Sequence, residues 1–352
     1  MEVLDQPDRR SWDGLLRRLG GHPLQAHAWG ALKERFGWRA HRLVTASGTA
    51  AAQVLIRPHR GLAVAYVPCG PLLSGDTPTD AALVDAIMKL ARSRRAAFVR
   101  LEPDVLEDDP GAPALLDMLR TKRFRTTERT LQPRSSIRLD LTRSPDQLLA
   151  GFSKGHRADV RRAEREGVQI KIGTTDGDVD ALHGVMVATK RRKSFAIHSA
   201  AYYRSLWQLF GDDARLLMAE HNGQVVAASL IVAFGDRALY LAAGSTEAGM
   251  ARRASHLLQW HAIRWAREKG ARSYDLWGIP DARGRLALAE RAGSSNAALA
   301  DALESEAQRD PLDGVYRFKK GWGGQVVRSV PALDRVFLPP AYWFWRWRRG
   351  EA

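Results

Sequence analysis

Two stretches of ten residues decide the fold: G-L-A-V-A-Y-V-P-C-G at positions 61–70 and G-D-R-A-L-Y-L-A-A-G at positions 235–244. Each carries an apolar run of strand length, and each is followed by a loop, an apolar-patterned helix and a further strand. Glycine, tyrosine and glycine recur at the same three places in both stretches, at a constant separation of 174 positions. An element order that occurs twice predicts two copies of one α/β unit.

The elements that flank these stretches set the expected domain boundaries. In the first half, a helix is predicted at 79–94 before the strand A-F-V-R-L-E-P, and in the second half a helix at 253–269 precedes S-Y-D-L-W-G-I-P. We expect a first unit at 1–139, a second at 140–324, and a segment at 325–352 that returns to the first unit. The Ala-, Glu- and Ser-rich residues 281–313 predict a helix or an excursion at the surface.

The composition of the chain indicates which chemical classes of partner it favours. The chain has 352 residues, 54 Lys and Arg against 39 Asp and Glu, and a formal net charge of +15. This excess favours polyanionic partners such as nucleic acid, an anionic membrane face or a pyrophosphate-bearing substrate. One cysteine excludes an intrachain disulfide framework, and the histidines lack the spacing of a metal site. The amino-terminal residues do not resemble a signal peptide, so a cytoplasmic protein is expected.

The order of strand, loop, helix and splayed strand resembles that of the GNAT acetyltransferases, which hold coenzyme A. This resemblance implies an α/β (α+β) fold of two tandem acetyltransferase-like units, each a mixed sheet flanked by helices. Coenzyme A binding in that superfamily uses a [QR]-x-x-G-x-[GA] loop, whose backbone N–H groups receive the pyrophosphate. The nearest segment here, T-E-A-G-M-A at 246–251, has threonine first and an acid beside the expected phosphate. We therefore expect no coenzyme A binding.

The segment G-V-Y-R-F-K-K-G-W-G-G at 314–324 combines rings, cations and glycines within a few residues. Such a combination suits an anionic partner that carries rings, such as a nucleotide end. A strand that runs into a glycine-rich turn with ordinary surface charges is an equally good interpretation of the pattern itself.

Two other segments carry positive charge. In the predicted helix at 146–166, Arg157, Arg161 and Arg165 recur every four residues on one face, which fits either a solvated surface or a stripe that contacts phosphates. The terminal F-L-P-P-A-Y-W-F-W-R-W-R-R-G at 337–350 mixes aromatic residues with arginine. That mixture suits a membrane interface, although packing against the first unit is the alternative, and both can hold for different faces.

Phe318, Lys319, Gly321, Trp322, Gly323 and Gly324 resemble the F-K-x-G-[FW]-G-G signature of the FemABX family. Further similarity covers nearly the whole chain. It includes P-L-Q at 23–25, W-G-x-x-K at 29–33, and T-x-x-R-x-x-F at 189–195 followed by a histidine and two tyrosines. The chain lacks a heptad pattern for the long two-helix arm of some members, so it resembles the compact, armless form.

The resemblance implies an enzyme that transfers an amino acid from aminoacyl-tRNA to a side-chain amine of a peptidoglycan precursor, either lipid II or UDP-MurNAc-pentapeptide. We also expect no cofactor and no metal, a protein that acts as a monomer, and peripheral contact with the anionic inner face of the membrane. The ester is already activated, so the enzyme positions two substrates, stabilises an oxyanion and manages one proton.

The resemblance also assigns residues to roles. Lys319 would stabilise the developing charge or bind the terminal tRNA phosphate, and Phe318 or Trp322 would stack on the terminal base or ribose. Asp104 in L-E-P-D is the matched acid for proton removal, and Arg157, Arg161 and Arg165 are candidates to contact the tRNA. The candidates for binding the precursor are Lys33, Arg192, His198, Tyr202 and Tyr240, together with Phe318 and Trp322. The alternatives are a coenzyme A-dependent acyltransferase and a noncatalytic basic module that binds tRNA or membrane.

Overall fold

A computed structural model describes residues 7–192 and 197–348 of the chain, with the side chains of Arg192 and of residues 346–348 left out. The described chain divides into two compact units. The first consists of residues up to Arg134 together with those from Arg328 onward, and the second of residues from Ser135 to Val327. The division therefore lies at 134/135 rather than at the expected 139/140, because Ser135 already begins the first strand of the second unit.

The first unit begins with two short helices that precede a three-stranded meander. Its elements are α1 Arg9–Arg18, α2 His27–Arg35, β1 Arg39–Val44, β2 Ala51–His59, β3 Leu62–Pro68, α3 Thr77–Ser93, β4 Ala96–Glu102, α4 Ala112–Thr121 and β5 Arg125–Thr127.

The second unit has the larger sheet. Its elements are β6 Ser135–Asp140, α5 Pro145–Gly151, α6 Lys154–Arg165, β7 Gln169–Ile172, α7 Asp176–Arg192, α8 Ala200–Phe210, β8 Ala214–His221, β9 Gln224–Phe234, β10 Arg237–Ser245, α9 Glu247–Ala251, α10 Ala254–Glu268, β11 Ser273–Gly278, α11 Asp281–Arg291, α12 Ala297–Arg309, α13 Asp313–Lys320 and β12 Gln325–Arg328. The chain then returns to the first unit as β13 Ala332–Val336 and α14 Pro339–Arg348.

Each unit is built on one mixed sheet. Within the described residues, the first sheet has the order β1-β2-β3-β4-β13-β5 and the second the order β12-β6-β11-β10-β9-β8-β7. In the first sheet β3 and β4 are the parallel neighbours, and in the second β10 and β11 are. The parallel pairs are the strands that a helix connects, α3 in the first unit and α10 in the second, as a crossover requires.

The duplicated plan is confirmed. The two stretches that begin at Gly61 and Gly235 form the turns before β3 and β10 and the strands themselves. Each sheet packs its own apolar core: Ile87 of α3 and Val99 of β4 are fully buried in the first, as are Ile263 of α10 and Leu276 of β11 in the second. The α/β fold of two acetyltransferase-like units, each a mixed sheet flanked by helices, is therefore confirmed.

Candidate active site

The segment with the most distinctive chemistry, at 314–324, is a helix followed by a glycine-rich turn. The interpretation of this segment as a strand is wrong: α13 spans Asp313–Lys320. Asp313 opens the helix and accepts hydrogen bonds from Arg283 of α11 at 2.9 Å and from Arg317 one turn later. Tyr316 turns its ring into the core, with the Arg283 guanidinium 4.5 Å from the ring centroid. Charge at one end and an apolar face thus fix the helix against the second sheet.

The glycines after α13 allow close contacts within the chain itself. A Cβ on Gly321 would lie 2.0 Å from the His156 ring, and one on Gly323 would lie 2.2 Å from the Gly151 carbonyl oxygen. A Cβ on Gly324 would likewise lie 2.8 Å from the backbone oxygen of Arg138 in β6. Gly323 also has a positive φ of 75°, which favours glycine. These glycines dock α13 onto α5, α6 and β6.

Lys319 lies in this docked helix with its side chain directed into the protein. The residue is 5% exposed, and its Nζ donates a hydrogen bond to the Gly278 carbonyl oxygen at 2.7 Å. Burial lowers the pKa of Lys319 from 10.5 to about 7, while the charge of Asp275 acts in the opposite direction. Both the ammonium and the neutral amine are therefore populated near neutral pH, as in a group that can take part in proton transfer.

The end of β11 provides the oxygen that Lys319 contacts. Asp275 is buried and accepts from Ser136 at 3.1 Å, Arg138 at 3.0 Å and the Trp277 backbone N–H at 2.7 Å. Trp277 has a left-handed φ of 67°, and the pairing of β11 with β6 shifts register between Asp275 and Gly278. The carboxylate therefore holds a bend that turns the Gly278 carbonyl towards Lys319, and such local strain is characteristic of functional sites.

Four rings surround the start of the turn after α13. His156 Nε2 lies 2.7 Å from the Phe318 carbonyl oxygen, and its ring is edge to face with that of His256 at 4.8 Å. Phe318 and Trp322 both lie within 6.1 Å of His256, centroid to centroid. Burial lowers the pKa of His256 to about 4 and lowers that of His156, so both imidazoles are neutral at pH 7. The sequence did not indicate this pair of histidines, because the spacing of His156 and His256 along the chain gives no sign that the two meet.

Of the two rings predicted to stack on a nucleotide, only one has exposed surface. Trp322 is 1% exposed and packs edge to face on Phe152 at 4.9 Å. The prediction that Trp322 stacks on a base or binds the precursor is wrong, because its ring belongs to the core. Phe318 is half-buried and remains a candidate.

The other candidates of the second unit lie on α7, on α8 and just before it, and on β10. His198 stacks on Tyr202 with centroids 3.8 Å apart, and its backbone N–H donates to the Tyr203 hydroxyl at 3.2 Å. Tyr240 is packed against the core at a bulge of β10, and burial raises its pKa. The side chain of Arg192, at the end of α7, lies outside the described residues.

The three arginines predicted to form a stripe on α6 have different surroundings. Arg157 Nη1 donates to the carbonyl oxygens of Ala150 at 2.9 Å and Phe152 at 2.5 Å, and so ties α6 to the end of α5. Arg161 and Arg165 are exposed on the same helix. Arg157 therefore has a structural role, which leaves two residues of the stripe as candidates.

In the first unit the two predicted residues occupy different elements. Lys33 is half-buried at the end of α2, with Nζ 4.7 Å from the Trp29 ring centroid, and burial lowers its pKa to about 8. Lys33 is thus more enclosed than a solvated surface lysine. Asp104 follows β4 by two residues and is half-buried.

The end of β4 also holds a polar network that sequence reasoning missed. Glu102 is buried and accepts from the Tyr66 hydroxyl at 2.5 Å and from the backbone N–H groups of Leu131 at 2.5 Å and Gln132 at 3.1 Å. The Gln132 amide donates to the Tyr66 hydroxyl at 3.2 Å. Burial raises the pKa of Glu102, against the effect of these donors.

The segment at 246–251 is a short helix, α9, capped by its own threonine. Thr246 Oγ1 accepts from the Gly249 backbone N–H at 3.1 Å, and Glu247 lies in the first turn. A backbone donor that a pyrophosphate would need is thus already used, and an acid stands beside it. Within residues 7–192 and 197–348, no group of three or more His, Cys, Asp or Glu side chains could hold a metal ion, and no helix is long and apolar enough to cross a membrane.

Comparison with known proteins places these features among transferases. The family model "Acetyltransferase (GNAT) domain" matches residues 150–283. The chain is 25% identical over 307 residues to the UDP-N-acetylmuramoylpentapeptide-lysine N(6)-alanyltransferase of Weissella viridescens, covering 79% of this chain and 83% of that protein. It is 20% identical over 403 residues to the lipid II:glycine glycyltransferase of Staphylococcus aureus strain USA300, covering 92% and 90%.

Among solved structures, one described as the crystal structure of FemX matches with a TM-score of 0.82 at 18% identity. The match covers 98% of this chain and 99% of that one, so the fold is shared along the whole length. The two similar enzymes, this shared fold and the signature carried by α13 agree, and the chain is similar to transferases of the FemABX family.

Proposed function

We propose that the protein is an aminoacyltransferase that moves an amino acid from aminoacyl-tRNA to the side-chain amine of a peptidoglycan precursor stem peptide, as in interpeptide bridge formation. Two similar enzymes are named for the transfer of alanine and glycine to such precursors. The observation that carries the proposal is the buried Lys319 in the family signature, held on the Gly278 carbonyl oxygen with a pKa of about 7.

The reaction forms an amide and breaks an ester. The acceptor amine attacks the ester carbonyl carbon, the carbonyl oxygen becomes an oxyanion, and the ribose hydroxyl of the tRNA leaves as the amine loses a proton. The cationic form of Lys319 suits the donor side of this process, because an ammonium can stabilise an oxyanion and give a proton to the leaving oxygen. The Gly278 oxygen and the charge of Asp275 favour that cationic form.

The remaining site residues keep the roles that the family resemblance implies. We propose that the half-buried Phe318 ring stacks on the terminal nucleotide of the tRNA and that the exposed Arg161 and Arg165 contact its phosphates. Lys33, Arg192, His198, Tyr202 and Tyr240 are proposed to bind the precursor, whether lipid II or UDP-MurNAc-pentapeptide. Asp104 is proposed to accept the proton from the acceptor amine. The enzyme is proposed to act as a monomer in the cytoplasm, where aminoacyl-tRNA is made, with peripheral contact to the inner membrane face.

A coenzyme A-dependent acyltransferase is the second candidate, since the matched family model is that of an acetyltransferase domain. The capped α9 speaks against it, because Thr246 occupies the Gly249 N–H and Glu247 adds negative charge at the expected phosphate position.

The test uses purified protein, tRNA charged with a mixture of labelled amino acids, and UDP-MurNAc-pentapeptide or lipid II as acceptor, with products identified by mass spectrometry. We expect one aminoacyl residue to be added to the stem peptide and no product from acetyl-coenzyme A. Acetylation of the acceptor, or micromolar binding of acetyl-coenzyme A by calorimetry without aminoacyl transfer, would replace this proposal with the second candidate.

A further inference from the structure

The terminal helix α14 has one face against the first unit and another face that is exposed. The rings of Tyr342 and Trp345 pack on Phe98 of β4, with centroids 5.1 Å and 4.8 Å away. Trp343 and Phe344, between them in sequence, are 58% and 51% exposed. Large apolar rings at such exposure indicate a surface that meets an apolar partner.

Arginines from three elements of the first unit gather beside the start of this helix. The guanidinium groups of Arg92 and Arg335 lie 4.8 Å and 5.7 Å from the centroid of the same ring, that of Phe337. Burial lowers the pKa of Arg335, and the positive charges of Arg92, Arg123 and Arg125 lower it further. Arg92, Arg123 and Arg125 are therefore each close enough to Arg335 to repel its charge.

Two acids of the neighbouring elements are engaged with other partners. Asp334, which pairs with Arg125 across β13 and β5, is 2% exposed and accepts from Arg100 at 2.8 Å and 2.7 Å and from the Tyr342 hydroxyl at 2.9 Å. On the flanking helices, Asp85 pairs with Lys122. The arginine cluster consequently keeps a net positive charge that an external anion would offset.

We propose that this arginine and aromatic surface binds the anionic headgroups of a membrane, with the Trp343 and Phe344 rings at the headgroup level. The surface consists of Arg92, Arg123, Arg125, Arg335, Trp343 and Phe344. Lipid phosphates offset the cations while the rings leave water, which is the arrangement of interfacial helices. Leu338, 41% exposed at the start of α14, also favours lipid over nucleic acid, because an aliphatic side chain cannot stack on a base.

This inference names the surface of the peripheral contact proposed above, but it does not depend on the transfer reaction. Its residues all belong to the first unit, whereas Lys319 and its neighbours belong to the second. A soluble acceptor, UDP-MurNAc-pentapeptide, can therefore report on catalysis while vesicles report on membrane binding.

The experiment measures sedimentation of the full chain with vesicles of phosphatidylcholine, with and without phosphatidylglycerol. The variants are Arg123→Glu with Arg125→Glu, and Trp343→Ser with Phe344→Ser, all at exposed positions. We expect binding only to the anionic vesicles, and each double variant to bind at least about tenfold more weakly. One control is Arg161→Glu with Arg165→Glu, which makes the same charge change at exposed sites of the second unit, and the other is Leu299→Ser, which removes one exposed apolar side chain there. Both controls should bind as the unaltered chain does.

Equal losses in variants and controls would show that only the overall charge matters, and this would overturn the proposal. A loss of tRNA binding in the arginine variant, with vesicle binding unchanged, would assign the surface to nucleic acid instead. Activity on the soluble acceptor should stay unchanged in the two variants of the proposed surface, Arg123→Glu with Arg125→Glu and Trp343→Ser with Phe344→Ser. If neither the unaltered chain nor any variant shows transfer activity while the vesicle results are as expected, the transfer reaction is refuted and the membrane surface stands.

Discussion

The two units use the same parallel strand pair in different ways. In the first, β3 and β4 shift register between Ala63 and Ala65 and then stay paired to Pro68, and the Gly70 N–H extends the contact to the Glu102 oxygen at 3.0 Å. In the second, β10 and β11 pair over Arg237–Leu239, after which β10 bulges and β11 bends. Where two strands stay paired, their backbone N–H and C=O groups bond to each other. Where the strands separate, these groups are available to bond to other elements.

The groups at the ends of the two strand pairs also differ. In the first unit, Tyr66 and Glu102 form a buried hydrogen-bond network at the end of the β3–β4 pair. In the second, the Gly278 oxygen receives Lys319 from α13. The duplicated strand pair thus ends in structural polar contacts in one copy and in a group suited to chemistry in the other, and this contrast can be tested from both sides.

The largest effect on activity is expected at Lys319. Replacing it with methionine, which keeps the length of the side chain, removes the cation from the Gly278 oxygen. We expect kcat/KM to fall by roughly 30- to 1000-fold, about 2 to 4 kcal/mol of transition-state stabilisation. The thermal midpoint should change little, because the relief of no longer burying a charged amine offsets the loss of the hydrogen bond to the Gly278 oxygen.

Lys320→Met is the matched control for this substitution. Lys320 is exposed, with its Nζ 5.6 Å from the Tyr316 ring, so its loss removes the same charge from the same helix without touching the buried amine. Equal and small losses in both variants would show that only the basic field of the segment matters.

A smaller effect is expected where α13 is docked. Gly321→Ala would place a methyl group 2.0 Å from the His156 ring, and the ring would lose its contact with the Phe318 carbonyl oxygen. We expect a stability loss of about 1 to 3 kcal/mol and, because Phe318 adjoins Lys319, a loss of activity of about tenfold. The measurements are urea unfolding and transfer assays on folded protein.

A partner variant separates crowding from the hydrogen bond. His156→Ala makes room for the new methyl group, so stability should recover in the double variant while activity stays low. Full recovery of activity would mean that His156 has no role in positioning α13.

The smallest effect on activity is expected at the polar network of Tyr66 and Glu102 in the first unit. Glu102→Gln leaves one of the donors Tyr66, Leu131 and Gln132 facing an amide nitrogen, which should cost about 1 to 3 kcal/mol of stability. Calorimetry should show a lower thermal midpoint, and kcat/KM of the folded enzyme should change by less than about threefold. A loss as large as that of Lys319→Met would give the first network a chemical role and remove the contrast between the units.

The sequence was informative about local pattern and weak about contacts between distant segments. The repeated glycine, tyrosine and glycine identified both strand pairs, because strand and turn signals are local. Trp322 was misassigned because the sequence does not show whether a tryptophan in a charged segment is buried or exposed. Likewise, nothing near position 319 shows that a carbonyl at 278 and a histidine at 156 lie beside α13, since those contacts exist only after the second unit has folded.

The most direct test of Lys319 as the chemical group of the second unit is the ratio of kcat/KM of the unaltered enzyme to that of Lys319→Arg, followed from pH 6 to 8.5. Both proteins use the same acceptor amine, so its ionisation cancels in the ratio. Arginine keeps its charge over this range, whereas Lys319 loses its proton around a pKa of about 7. If the ammonium form is the active one, the ratio is constant at low pH and falls as the pH rises through about 7. A ratio that is flat throughout, or that rises with pH, would contradict a catalytic role for the cation.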